Sequence, residues 1–262
     1  IKKNDIFFAI KGKKNDGNKF ISEAFKKKAS IAVVNKIEKK INISRQIKSK
    51  DSLKFLTKSS ELYRENIKTK IIAITGSCGK TTLKELLGKS LNQLSKAGIS
   101  PKSYNNKYGV PLSLFNLDQK NNYGVLEIGM DKKGEIDYLS KIVKPDVSVI
   151  TNINYAHAKN FKNLKQIALA KSEIIHNTKV NGFIVLNSDD SFFTRVFAIS
   201  DLPPSVIFSL FIKGLLCLKG LLYFFANWEL AQPLKIKPKI KTIDKLNNFL
   251  IFICFSYLIV EI

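Results

Sequence analysis

Apolar residues over the first two thirds of the chain fall into short runs, separated by stretches with helical spacing. Residues 5–10 (DIFFAI) and 30–35 (SIAVVN) predict short buried strands. Between them Lys14-Asn15-Asp16-Gly17 reads as a turn. A helix follows around 18–28, with Phe20, Ala24 and Phe25 on one side, and a second helix is predicted over roughly 51–66. The pattern restarts near Lys70. Residues 70–75 (KIIAIT) predict a strand, then comes a glycine loop, then a helix from about 80 to 95. Leu83, Leu86, Leu87, Leu91 and Leu94 of that helix recur at helical spacing. Three further apolar runs, 123–128, 146–151 and 182–187, are separated by helical stretches. Such alternation predicts an α/β fold, a parallel sheet with helices on both faces. Two units are expected, a small α/β domain over 1–68 and a larger parallel-sheet domain over 69–190.

The alternation stops after about residue 191. Residues 206–226 are almost all apolar, interrupted by Lys213 and Lys219, and 249–260 hold twelve uncharged residues in a row. The first run is long enough to span a bilayer, but two central lysines cost roughly 5–7 kcal/mol on insertion. The second is too short for a helical span. A slipped reading frame or a fragment with a random tail ranks ahead of a diverged segment or a membrane hairpin, so no membrane partner is expected. The chain starts at Ile1 rather than Met, with no signal peptide before the first strand. The expectation is that it begins inside a longer protein.

Composition changes this picture little. The net charge of +23 invites a nucleic-acid partner, but of 44 basic residues only Arg45, Arg64 and Arg195 are arginine. Readout of bases and phosphates favours the arginine fork. Lysine here is scattered through every segment beside many Asn and Ile, which fits an AT-rich coding bias, and no nucleic acid is expected. Cys78, Cys217 and Cys254 are odd in number and far apart, so they form neither a disulfide framework nor a zinc site, and a reducing cytoplasm fits.

Residues 75–82 read Thr75-Gly76-Ser77-Cys78-Gly79-Lys80-Thr81-Thr82, between a strand and an amphipathic helix. Gly76 and Gly79 permit a tight turn that aims N–H groups inward, and the helix N-terminus favours an anion. Lys80 can reach the β and γ phosphates of a nucleotide, and the Thr81 hydroxyl can coordinate Mg²⁺. The first glycine of the general phosphate-loop pattern is missing, while the strand-loop-helix context is met. Cys78 reads as a small filler, since no base lies near it in sequence.

The substrate side rests on resemblance. TGSCGKTTLKELL (75–87) resembles the ATP loop of the Mur ligase family, which normally lacks that first glycine. NNKYGVPLSL (105–114) resembles the segment of the members that add D-alanyl-D-alanine. LEIGMDKKGE (126–135), ITNINYAH (150–157), ALAKSEI (168–174) and LNSDD (186–190) resemble further family segments in the same order. In the first unit DIFFAIKGKKNDGNKF (5–20) resembles the part that holds the UDP end of the substrate. Asn154 and Lys162 depart from the family pattern at positions usually or often held by glycine.

The resemblance implies a P-loop-type ATP-binding domain, incomplete here, with the family's C-terminal domain absent. It implies an ATP- and Mg²⁺-dependent ligase, cytoplasmic and expected to be monomeric, acting in peptidoglycan precursor synthesis. ATP would phosphorylate the carboxylate of UDP-N-acetylmuramoyl-tripeptide, and the amine of D-alanyl-D-alanine would attack the acyl phosphate. Residues 75–82 would hold the nucleotide. Thr81, Glu127, His157 and Lys171 would serve the metal, with Lys80, Lys171 and His157 as catalytic groups. Independently of the resemblance, Lys171 shares the inward helix face of Leu164, Ile167 and Ala168, where a bare ammonium is costly. In the family the matching lysine is carbamylated. Glu173 and His176 fall off that face and read as solvated. Asn105 and Asn106 read either as substrate-binding amides or as a turn. Asp16 and Gly17 read as substrate-binding by resemblance and as a structural turn by composition. Two other functions stay open. One is the related ligase that adds the third residue to a dipeptide precursor. The other is a nucleotide-binding remnant without catalysis, and this chain alone is expected to be an inactive fragment.

Overall fold

The computed structural model describes residues 1–12, 14–155, 158–187, 190 and 192. The first sheet holds β1 (Ile6–Phe8), β2 (Ile31–Val34) and β3 (Gln46–Lys48), all parallel and in that order. Helix α1 (Ile21–Lys26) packs Ile21 and Ala24 inward, and Ala9, Ile21, Ala32 and Val34 form the core of this unit. Asp16 ends the preceding turn by accepting the Asn18 N–H at 2.9 Å, capping the 3-10 turn Gly17–Phe20. That acceptance and the Asn18 amide hold the Asp16 carboxyl below its usual range. A Cβ on Gly17 would meet the Ile10 nitrogen at 2.6 Å, so only glycine lets the turn close on the strand end.

Helix α2 (Ser52–Asn66) is capped by Asp51, which accepts the N–H groups of Leu53 and Lys54. It leads into the second sheet, made of β4 (Lys70–Thr75), β5 (Ala97–Ile99), β6 (Tyr123–Glu127), β7 (Val147–Ile150) and β8 (Phe183–Leu186). The order is β5-β6-β4-β7-β8, every pair parallel. Strand β4 is therefore central and fully apolar in its interior, as a strand buried on both faces must be. Its Ile71 and Ala73 join a core with α4 (Gly109–Phe115), α5 (Glu135–Val143) and α6 (Leu164–His176). Helix α3 (Lys80–Leu94) packs on β5, β6 and β4, where the alternate residues Ile72 and Ile74 face.

The two sheets are tied together. Arg64 of α2 is buried and donates to the carbonyls of Val143, Thr69 and Lys144 and to the Asp146 carboxylate at 2.8 Å. Tyr63 donates to the Leu117 carbonyl and packs on Phe115, which also stacks with Phe8 of β1.

Several expectations are corrected. On α3 only Leu87 and Leu91 are fully buried, Leu86 and Leu94 are exposed, and Lys84 takes an inward position instead. Glu173 is not simply solvated, because its carboxylate accepts the N–H groups of Gly134 and Asp137 and caps α5. His176 is exposed, as its face predicted. The edge strands β3 and β5 and the short helix α4 were not foreseen. Among the described residues no helix is long and apolar enough to cross a membrane. The apolar runs 206–226 and 249–260, like nearly all of 191–262, lie outside the described residues.

Candidate functional site

After β4 the chain runs toward β5 and β6 on one side and later returns to β7 on the other. The ends of β4, β6 and β7 thus meet where the strand order reverses, which is where open parallel sheets hold ligands. Register aligns Ile74 with Glu127 and with Val149, so the glycine loop leaves the sheet beside a carboxylate.

Two glycines shape the loop. Gly76 has φ +147°, and a Cβ there would lie 1.9 Å from the Thr151 hydroxyl. Gly79 is left-handed, with φ +79°. Thr75 is buried, and its hydroxyl has no hydrogen-bond partner among the described residues. The segment after β7 braces the loop: Ser77 N–H donates to the Asn152 carbonyl and Cys78 N–H to the Asn152 side-chain oxygen, at 3.0 and 2.9 Å. Thr151 donates to the Cys78 carbonyl, and Ser77 Oγ exchanges hydrogen bonds with the Asn154 backbone. Asn152 was not singled out from the sequence, although it lies within ITNINYAH. Its contacts occupy two of the loop N–H groups expected to face a phosphate. The first turn of α3, whose N–H groups lack intrahelical partners, has the chemistry to receive an anion. Lys80 rests on the loop, donating to the carbonyls of Gly76 at 2.7 Å and Ser77 at 3.3 Å. Cys78 and Thr82 are exposed.

Glu127 is only 2% exposed. The Thr81 hydroxyl donates to one of its oxygens and the Asn105 amide to the other, both at 2.7 Å. No ion pair joins Glu127 to a described residue. A buried carboxylate and a hydroxyl beside a phosphate loop are the hard oxygens that Mg²⁺ takes, and that ion needs only one or two carboxylates when phosphates complete its shell. The donor set fits the metal. No group of three or more metal-binding side chains occurs among the described residues.

Lys171 is 3% exposed on α6, as its helical position predicted. Burial pushes its amine down to about 7, the charge of Lys80 adds to this, and Cys78 opposes it weakly. As an ammonium Lys171 does not fit a cation site; as a carbamate it would. His157 lies outside the described residues. Asn106 accepts the N–H groups of Tyr108 and Gly109 and so starts α4, which is turn chemistry. Asn105 contacts Glu127 instead. Asp16 and Gly17 belong to the first sheet and make none of the loop's contacts.

The family model described as Mur ligase middle domain matches residues 74–210, past the break in pattern near 191. The UDP-N-acetylmuramoyl-tripeptide–D-alanyl-D-alanine ligase of Buchnera aphidicola (subsp. Acyrthosiphon pisum) is 38% identical over 190 residues, which are 72% of this chain and 41% of that protein. The Bacillus subtilis enzyme of the same name is 32% identical over 193 residues, 72% of this chain and 42% of that one. MurF from Acinetobacter baumannii superposes with a TM-score of 0.69 at 35% identity, covering 75% of this chain and 43% of that chain. MurF ligase from Thermotoga maritima, in complex with ADP, gives 0.66 at 33% identity, covering 76% and 46%. The chain thus spans less than half the length of these relatives. With more than half of its residues matched by the middle-domain model, the chain belongs to the Mur ligase family.

Proposed function

We propose that these residues form the ATP-handling part of a ligase that joins D-alanyl-D-alanine to UDP-N-acetylmuramoyl-tripeptide in the cytoplasm. Residues 69–190 form its nucleotide domain, and 1–68 the domain facing the UDP end of the substrate. The observation that carries the reading is Glu127, a buried carboxylate held by Thr81 and Asn105 at the mouth of the glycine loop. The name of the substrates is taken from the relatives.

Bound Mg-ATP supplies the phosphoryl group that activates a carboxylate for attack by an amine. Lys80 would leave its loop carbonyls for the phosphate oxygens, offsetting negative charge as it builds in the transition state. Thr81 and Glu127 would hold the metal. With its value lowered to about 7, a substantial fraction of the Lys171 amine is uncharged at neutral pH, the form that reacts with CO₂, giving a carbamate and releasing one proton. The product is an anion on the same helix face, with His157 nearby in sequence.

Three measurements test this. Isothermal titration of the chain with Mg-ADP should show binding that Lys80→Ala abolishes; unchanged binding in the variant would sink the loop assignment. Carbon-13 NMR with labelled bicarbonate should show a carbamate signal that disappears in Lys171→Ala. For the substrates, the chain with ATP, UDP-N-acetylmuramoyl-tripeptide and D-alanyl-D-alanine should be analysed by mass spectrometry. The pentapeptide precursor supports the proposal in full; binding of Mg-ADP without product restricts it to nucleotide handling.

A further inference from the structure

Two lysines are buried among the described residues, Lys171 and Lys84. The chemistry above makes no use of Lys84, which is fully buried one helical turn along α3 from Lys80 and Thr81. A buried ammonium is costly unless its donors find acceptors. Lys84 finds them in one short segment: it donates to the Ser100 carbonyl at 2.8 Å and to the Lys102 carbonyl, with Glu85 3.2 Å away. Lys102 has φ +47°, a conformation unusual for a non-glycine residue. Gly88, a further turn along, lets Ile99 approach, since a Cβ there would lie 2.3 Å from the Ile99 side chain. Helix α3 therefore grips the exit of β5 tightly.

That segment then crosses the strand end where Glu127 sits. Ser100 Oγ accepts the Glu127 N–H at 3.2 Å. Asn105 donates from its amide to Glu127, while its carbonyl accepts the Gly129 N–H at 2.7 Å. A Cβ on Gly129 would meet the Asn105 side chain at 2.8 Å, so the two are closely fitted. One helix thus supplies Thr81 to one oxygen of Glu127. Through Lys84 it also restrains the segment that supplies Asn105 to the other.

We propose that Lys84 is a positioning residue, which fixes residues 100–105 so that Asn105 holds Glu127 in the orientation that receives a divalent cation. This rests on the reading of Glu127 as a residue facing Mg-nucleotide. The neutral loop carbonyls alone would not hold that segment against α3. With the ammonium removed, two buried carbonyls lose their donor and the segment moves off the strand end.

The test is isothermal titration of the full chain with ADP, once with Mg²⁺ and once with EDTA. In Lys84→Met the Mg²⁺-dependent gain in affinity falls by about 10- to 100-fold, as for other residues that orient a metal ligand. Affinity in EDTA stays within about twofold. Asn105→Ala gives the same loss, and the double variant is no worse than either single one, because both remove one restraint. Lys84→Gln, shorter by one bond, uncharged and with two N–H donors in place of three, serves if Lys84→Met does not fold, with a smaller loss in the same direction. Equal weakening in Mg²⁺ and EDTA would make Lys84 a plain structural support, and unchanged binding would make it idle; either overturns the proposal. A wild-type chain that binds ADP without any Mg²⁺ dependence overturns the reading of Glu127 itself, and is distinguished by being seen before any substitution is made.

Discussion

Lys171 carries the clearest dependence on pH. Its folded value of about 7 lies below the ordinary 10.5 of a free lysine, and burial is the main cause. Below pH 7 the amine is charged in both states, and folding bears the full cost of burying it. Between pH 7 and 10.5 the unfolded chain holds the extra proton, so stability rises with pH across that window. A shift of this size corresponds to roughly 5 kcal/mol. Lys171→Met should therefore stabilise the chain most at pH 6, with a gain that shrinks toward pH 10, as read from urea midpoints. A gain independent of pH would contradict the account. Gly76 gives a second prediction. Gly76→Ala combines a left-handed backbone with a collision against Thr151, and should cost about 1–3 kcal/mol in the same assay. A neutral outcome would mean that the loop adopts another conformation.

At the scale of elements, one guanidinium fastens α2 to the second sheet. Burial lowers the pKa of Arg64 and the Asp146 carboxylate raises it back in part, so the group stays charged in a nearly dry site. Arg64→Ala strands three carbonyls, although Asp146 keeps Lys179 and the Ile71 N–H. A loss of about 3 kcal/mol is expected in chemical unfolding. Glu173→Gln keeps the shape of the α5 cap but removes its charge, and should cost about 0.5–1 kcal/mol. The strands β4, β6, β7 and β8 were legible because each is a short, mainly apolar run. By contrast β3 (Gln-Ile-Lys) and β5 (Ala-Gly-Ile) are three-residue edges that carry no periodic signal. Helix α4 was hidden by Gly109 and Pro111 in its first turn. Lys84 was hidden for a different reason: spacing alone put leucine on the buried face, and a lysine reads as solvent-facing until its carbonyl partners are seen. The turn at the loop and the burial of Glu127 were legible from motif and strand context, and the burial of Lys171 from its helix face. Asn152 was not, since its role comes from a contact between segments about 75 residues apart.

For the whole molecule, binding to the native state should appear as thermal protection. At an ADP concentration 100 times the dissociation constant, with Mg²⁺ present, the stabilisation is about 2.7 kcal/mol. For a chain of this size that is a rise of roughly 5–10 °C in the melting midpoint. Lys80→Ala should show no rise; an equal rise in the variant would place the nucleotide elsewhere.

The order β5-β6-β4-β7-β8 also sets a timetable for synthesis. The central strand, β4, is the first of the five to be made, yet neither neighbour exists when it leaves the ribosome. Strand β6 follows roughly 50 residues later, a wait of about 3–10 s at ordinary translation speeds. During that interval Ile71, Ile72 and Ile74 have no native partner strand, and both edges of β4 are open to other chains. A nascent chain stalled after β4 has left the ribosome and before β6 has would expose that strand for as long as the stall lasted, and cellular chaperones that bind extended apolar segments would find it there.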